Sequence, residues 1–223
     1  MGVLKTLTDE YFGDSIRKED DIDISDLDVE IVSFKDNNGT FHGHGYRVKD
    51  NNDIDEIGET LRKLIERLIK KRGKNCNLND IDVSNIKSMY FLENKYTNNH
   101  MSIFEYMDFN GDVSGWDVSK VENMNRLFSY TTFDGDLSKW NVQNVKKMNF
   151  MFSHSNFSGK NGIFKLKKGN KLIDMISMFE YSNLEVDISD WDVSRVKDMT
   201  WMFFGTSLIK NNNLPQWYLD RMK

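Results

Sequence analysis

Cysteine and proline are almost absent from this chain of 223 residues, which holds one of each. The lone thiol, Cys76, excludes an intramolecular disulfide and leaves too few sulfurs for a cysteine-based zinc site. Long apolar runs are missing as well, so no segment is expected to span a bilayer. The opening residues, MGVLKTLTDEYFGD, turn acidic before an apolar stretch can form, and no signal peptide or lipid-anchor cysteine is expected. Gly2 and Thr6 fit the loose myristoylation pattern, but a match this short arises readily by chance. Positive charge is not in excess either. A net charge of −5 gives no general attraction to nucleic acid or to anionic lipid. The length still suffices for one or two domains with a real core.

What the chain does have is a repeat. Trp116 and Trp140, Val121 and Val145, Met124 and Met148, and Phe128 and Phe152 are each 24 residues apart, as are Phe109, Phe133 and Phe157. Met175 to Met199 and Phe179 to Phe203 take the same step of 24. Between Phe152 and Phe179 the step is 27, which an insertion within residues 165–171 explains. In that unit Phe164 fills the tryptophan position and Leu166 the valine position. An earlier copy, residues 78–92, has Ile81 in the tryptophan position and is set apart by an insertion around residues 94–100. About five units then lie between Leu78 and Leu208.

Each unit shows two periodicities. Val113, Trp116 and Val118, like Leu137, Trp140 and Val142 or Ile188, Trp191 and Val193, have the spacing of a short strand. Val121, Met124, Leu127 and Phe128 then fall on one face of a helical turn, with Ser119 and Glu122 as its capping box. Gly111 and Gly135 supply tight turns between units. A single such unit cannot bury its apolar side chains, whereas neighbours stacked side by side can. The fold class expected is therefore an α/β solenoid of coils related by 24 residues, its tryptophan and methionine columns forming core.

WDVSKVENMNRLF, WNVQNVKKMNFMF and WDVSRVKDMTWMF carry one pattern in register, and it resembles the BspA-like leucine-rich repeats of bacterial surface proteins, the DUF285 type. The resemblance covers about residues 78–210. It implies a right-handed, leucine-rich-repeat-like coil and a role in protein–protein contact or adhesion.

Residues 1–77 do not repeat. Residues 26–50 read as a β-hairpin around Asn38-Gly39, pairing Phe34 with Gly43, Val32 with Gly45, Glu30 with Arg47 and Ile31 with Tyr46. Ile54, Ile57, Leu61, Leu64, Ile65 and Leu68 form one helical stripe, opened by an Asp53/Glu56 capping box and ended by Gly73. This α/β piece is expected to cover the open first coil, since a bare terminal coil presents strand edge and apolar surface. At residues 211–223, Leu214, Trp217, Tyr218 and Met222 are expected to close the last coil with a short helix. The charged segment 13–24 reads as loop or arm, faintly similar to N-terminal tags of proteins from gut bacteria and their phages.

Candidate chemistry is sparse. His42 and His44 alternate on one strand, but no third metal ligand lies nearby, so solvated strand residues are the simpler reading. His100 and His154 belong to no Ser/His/Asp or Cys/His motif, and Gly43-His44-Gly45 sits inside a strand, not at a helix start. Asp112 and Asp136 align, as do Asp117, Asn141 and Asp192. These columns suggest calcium, yet Lys165 interrupts the second, and Asx turns at the first with solvated side chains at the other explain them. The basic runs at residues 68–75 and 165–171 read as a solvated helix end and a lysine-rich insertion guarding an edge.

The function expected is binding without catalysis, cofactor or metal. The partner is a protein, engaged by the exposed strand face at Gly115, Asp117, Lys139, Asn141, Lys165, Asp190 and Asp192, with the insertions beside it. The alternative is a structural or virion component that self-associates or docks on a scaffold. A cytoplasmic or virion-associated place is expected from the N-terminus, and a cell-surface place from the family resemblance.

Overall fold

The structure, a computed structural model, describes residues 22–35, 41–94 and 99–222. Strands β1 (Val29–Lys35) and β2 (Phe41–Val48) pair antiparallel with Val32 opposite Gly45, Phe34 opposite Gly43, Glu30 opposite Arg47 and Ile31 opposite Tyr46, as their large-against-small pattern suggests. The turn at Asn38 and Gly39, and the charged arm up to residue 21, lie outside the described residues. Helix α1 (Ile54–Arg72) starts where the Asp53 carboxylate accepts the amides of Asp55 and Glu56, and it stops at Gly73, whose φ of 88° suits glycine. The return half of a capping box is not made, because the Asp53 amide donates instead to Asn51 Oδ1. Ile57, Leu61, Leu64, Ile65 and Leu68 are buried, but Ile54, read as part of the same stripe, is exposed.

This N-terminal piece is joined to the first repeat by polar contacts as well as packing. β2 pairs in parallel with β3 (Ile81–Asp82), placing Arg47 against Asp82 and Glu30. Arg72 grips Asp80 with two hydrogen bonds of 2.9 and 2.6 Å. The fork geometry matches a carboxylate in a way that a lysine does not. Gly58 lets α1 approach closely: a Cβ there would stand 2.6 Å from the Phe91 ring.

Successive units lie side by side. Parallel bridges link Ser88 to Asn123, Asn123 to Lys147, Lys147 to Asp174 and Asp174 to Asp198. From there the amides of Met124, Arg126, Phe128 and Tyr130 donate to the carbonyls of Lys147, Asn149, Met151 and Ser153 at 2.8–2.9 Å. The same four-bond pattern runs from Met148, Phe150, Phe152 and His154 to the next unit, and from Met175, Ser177, Phe179 and Tyr181 to the last, all at 2.8–3.0 Å. Every one of these bonds points the same way along the array. The rings stack in matching columns. Phe104, Phe128, Phe152, Phe179 and Phe203 follow one another at 5.3–6.0 Å, and Phe109, Phe133 and Phe157 at 6.1–6.3 Å.

Within a unit the backbone departs from the expected strand and helical turn. No strand is formed at residues 113–118 and no helix at residues 121–128. The segment after the bridge is a run of overlapping turns, closed by bonds such as Leu127 N–H to Met124 O and Ser129 N–H to Arg126 O. Arg126, Tyr130, Phe150, His154, Ser177, Tyr181 and Trp201 take φ between 51° and 58°. Those left-handed residues re-aim alternate amides toward the neighbouring unit, which a helix would have kept for itself. Ser119 and Glu122 form no capping box: the Ser119 amide is held by Asp117 and Glu122 pairs with Lys146. The first unit also differs from expectation. The chain leaves it after Met89 through the hairpin β4 (Tyr90–Asn94) and β5 (Asn99–Ser102), returning so that Phe104, not a residue before 92, stacks on Phe128.

Indole N–H groups add a second tie between units. Trp116 Nε1 donates to Leu78 O at 2.8 Å and Trp140 Nε1 to Val113 O at 3.0 Å. Trp191 is as buried as these but its Nε1 has no acceptor among the described residues. The unit before it enters through Gly159 and Gly162 at φ 76° and 135°, a different path. Trp140→Phe is therefore expected to cost about 0.5–1.5 kcal/mol more than Trp191→Phe, since only the former loses a hydrogen bond, while Val113 O keeps the Trp116 amide at 3.2 Å. Parallel urea titrations of the two variants check this difference.

At the far end, α2 (Ser207–Lys210) and α3 (Gln216–Leu219) fold back. Trp217 Nε1 reaches Ile188 O at 3.2 Å, and the Tyr218 ring meets Phe203 edge-on at 4.9 Å. Leu214 packs at the margin, whereas Met222, expected to help close the coil, is 68% exposed.

Candidate interaction surface

The predicted contact residues sit on turns that the tryptophan positions hold in place. Gly115, Asp117, Lys139, Asn141, Lys165 and Asp190 are exposed and Asp192 is partly so. The structure gives several of them structural work. The Gly115 amide donates to Asn79 Oδ1 of the preceding unit at 2.7 Å. Lys165 Nζ and Asp190 Oδ2 form an ion pair at 2.7 Å, the one direct contact among the seven. Asp117, Asn141 and Asp192 each accept the amide two residues on, so these side chains form Asx turns and do not simply face water. Asp112 and Asp136 make the same turn. Hydrogen bonding from Ser138 holds the Asp136 carboxyl below its ordinary value, with Lys139 adding to the effect, and hydrogen bonding from Ser194 does so for Asp192.

Among the described residues no group of three or more His, Cys, Asp or Glu is placed to hold a metal ion. His44 faces Ser33 Oγ and His100 stacks on Tyr90, while the side chain of His42 lies outside the described residues. Glu105 is buried where the first two units meet. Burial pushes its carboxyl up, opposed by Arg126, which touches Oε1 at 3.1 Å, and by the charge of Arg62.

A second surface was not foreseen. Tyr106, Tyr130, His154 and Tyr181 form an exposed row of stacked rings with centroids 4.6–4.8 Å apart, and Phe204 ends it edge-on at 5.3 Å. The first four residues take left-handed φ between 52° and 63°, rare for bulky side chains. Beside this row Arg126 lies over the Phe150 ring at 5.3 Å, and Trp201 stands 65% exposed. The signal was present in the sequence, because Tyr106, Tyr130 and His154 follow the 24-residue step and Tyr181 the 27-residue one.

Residues 62–180 and 167–223 match the family described as "Mycoplasma protein of unknown function, DUF285". The chain belongs to the DUF285 family. The DUF285 match begins within α1 and runs through α3, so it takes in both ends of the stacked units as well as their middle. No curated protein and no solved structure matches this DUF285 chain. No helix among its described residues is long and apolar enough to cross a membrane.

Proposed function

We propose that residues 78–210 form a leucine-rich-repeat-like solenoid, capped by residues 1–77 and 211–223, that acts as a non-enzymatic protein-binding module. The observation that carries this reading is the exposed aromatic row. Holding four large side chains in left-handed backbone costs about 1–3 kcal/mol each, and exposed rings add little to the core. A row of rigid rings on a stiff scaffold presents large amphipathic contact area at low ordering cost, the property of interface anchors. Its polar edges, the tyrosine hydroxyls and the His154 ring nitrogens, suit a protein surface with mixed apolar and polar groups.

The seven turn residues flank the module as a second, more polar face. Removing Tyr130 and Tyr181 together as glycines relieves two strained positions and deletes both rings that stack on His154. Affinity for a partner captured by the whole chain is expected to fall at least tenfold while the melting temperature holds or rises. Charge reversal at Lys139, Lys165 and Asp192 is the comparison: if that triple variant loses the partner and the glycine pair keeps it, the contact lies on the turn face.

A further inference from the structure

The last unit and its cap differ from the rest of the array in two respects. Half of the eight exposed large apolar side chains among the described residues fall here: Trp201, Phe204, Ile209 and Met222. Trp201 and Met222 are the two most exposed of the eight, at 65% and 68%. Both border one open groove of about 610 Å³, lined also by Tyr218, Lys197 and Arg221. Trp201 projects there from left-handed backbone at φ 56°, a strained place for an indole that glycine would fill more easily. The second difference is electrostatic. Earlier in the array exposed lysines are neutralised across neighbouring units, Lys146 by Glu122, Lys160 by Glu185 and Lys165 by Asp190. Among the described residues no ion pair involves Arg195, Lys197, Lys210 or Arg221, although all four are exposed. The Arg221 guanidinium is fixed by the carbonyls of Val193 and Val196, neutral groups that leave its charge uncompensated. Against these four cations residues 195–222 carry only Asp198 and Asp220, a net +2 in a chain of −5.

We propose that this end of the array is a peripheral contact site for an anionic lipid bilayer, separate from the aromatic row. Protruding indole and thioether groups beside uncompensated cations match the two layers of such a surface. Indoles settle at the boundary between acyl chains and headgroups, and lysine and arginine reach the headgroup phosphates above it. A folded protein partner would need recesses to receive Trp201 and Met222, whereas a fluid bilayer moulds around them. The chain as a whole has no attraction to anionic lipid, so its charge restricts the contact to this end. Screening over about 8 Å at physiological salt leaves the local excess of cations to act there. Docking by the last unit keeps the tyrosine row and the turn face free for a protein.

The test sediments the full chain with vesicles of phosphatidylcholine mixed with phosphatidylglycerol. Binding to these vesicles is expected, and it should be at least tenfold weaker with phosphatidylcholine alone or in raised salt. Trp201→Gly with Met222→Ser is expected to lower it at least tenfold while the unfolding midpoint holds or rises, since the glycine relieves a left-handed residue. Lys197→Glu with Lys210→Glu should weaken it at least as much, each cation near an anionic surface contributing about fivefold. Three results overturn the proposal: no sedimentation with the mixed vesicles, undiminished binding by either pair of substitutions, or capture of a single-stranded oligonucleotide that the vesicles fail to compete, which assigns the patch to nucleic acid.

Discussion

Phe152→Ala is expected to destabilise the protein by about 3–5 kcal/mol, the range for emptying a well-packed core of a phenylalanine. Phe152 is completely buried and stands at the crossing of two columns. Its ring meets Phe157 at 3.9 Å within the unit, Phe128 at 5.8 Å on one side and Phe179 at 5.5 Å on the other. Collapse to fill the space is restricted, because each neighbour is itself pinned by a ring one unit further on. The loss falls on two interfaces at once, and in a quasi-one-dimensional array an interior interface couples everything on its two sides. A chemical denaturation curve for Phe152→Ala is therefore expected to lose cooperativity, with a reduced slope as well as a lower midpoint. The same substitution at Tyr181, an exposed ring of similar size, should change the midpoint little.

Arg62→Met is the second large effect, expected at about 2–4 kcal/mol because hydrogen bonds from a charged donor are lost and buried carbonyls are left unpaired. Met keeps most of the apolar stem, so the change isolates the guanidinium. Ser102, Ile103 and Glu105, whose carbonyls it binds, are essentially inaccessible to water. A pH dependence distinguishes this from loss of packing. The Glu105 carboxyl already lies above its ordinary 4.5 through burial, and the charge of Arg62 is one of the influences that restrains the rise. A carboxyl raised in the folded state favours folding while protonated, below the unfolded value, and that contribution is lost as pH rises through the folded value. Without Arg62 the folded value climbs further. The penalty of Arg62→Met should thus be smaller at pH 4 than at pH 7, and equal losses at both would assign the effect to the three carbonyls alone.

The period and the buried columns were readable because the core repeats in the plainest possible way: a Phe, Met or Trp recurs wherever two units touch. The β1/β2 register was readable for a similar reason, since Gly43 and Gly45 sit opposite Phe34 and Val32. The backbone path inside a unit was not. Val121, Met124, Leu127 and Phe128 have helical spacing, yet that spacing also fits consecutive turns in which every fourth residue is left-handed. Nothing in the local preference of Arg126, Tyr130, Phe150 or His154 announces a positive φ; ladder bonds to the neighbouring unit impose it. The aromatic row was hidden by the same gap, because only the left-handed turns send Tyr106, Tyr130, His154 and Tyr181 outward in line. The Asx turns at Asp117, Asn141 and Asp192 were half visible. Their column was seen, but the amide each carboxyl or amide side chain accepts was not. Phe104 stands 24 residues before Phe128 and so keeps the step, but with residues 78–92 read as a whole unit the hairpin that interrupts that unit before Phe104 was missed.

Residue-resolved amide exchange through the middle of the array bears most directly on whether these units lock together through their backbones. The amides of Met148, Phe150, Phe152 and His154, each donated to the following unit, should open only with global unfolding, as a block and with one common free energy. Exchange at these four positions near the rate of an unstructured chain, while the protein remains folded, would contradict the ladder and everything built on it.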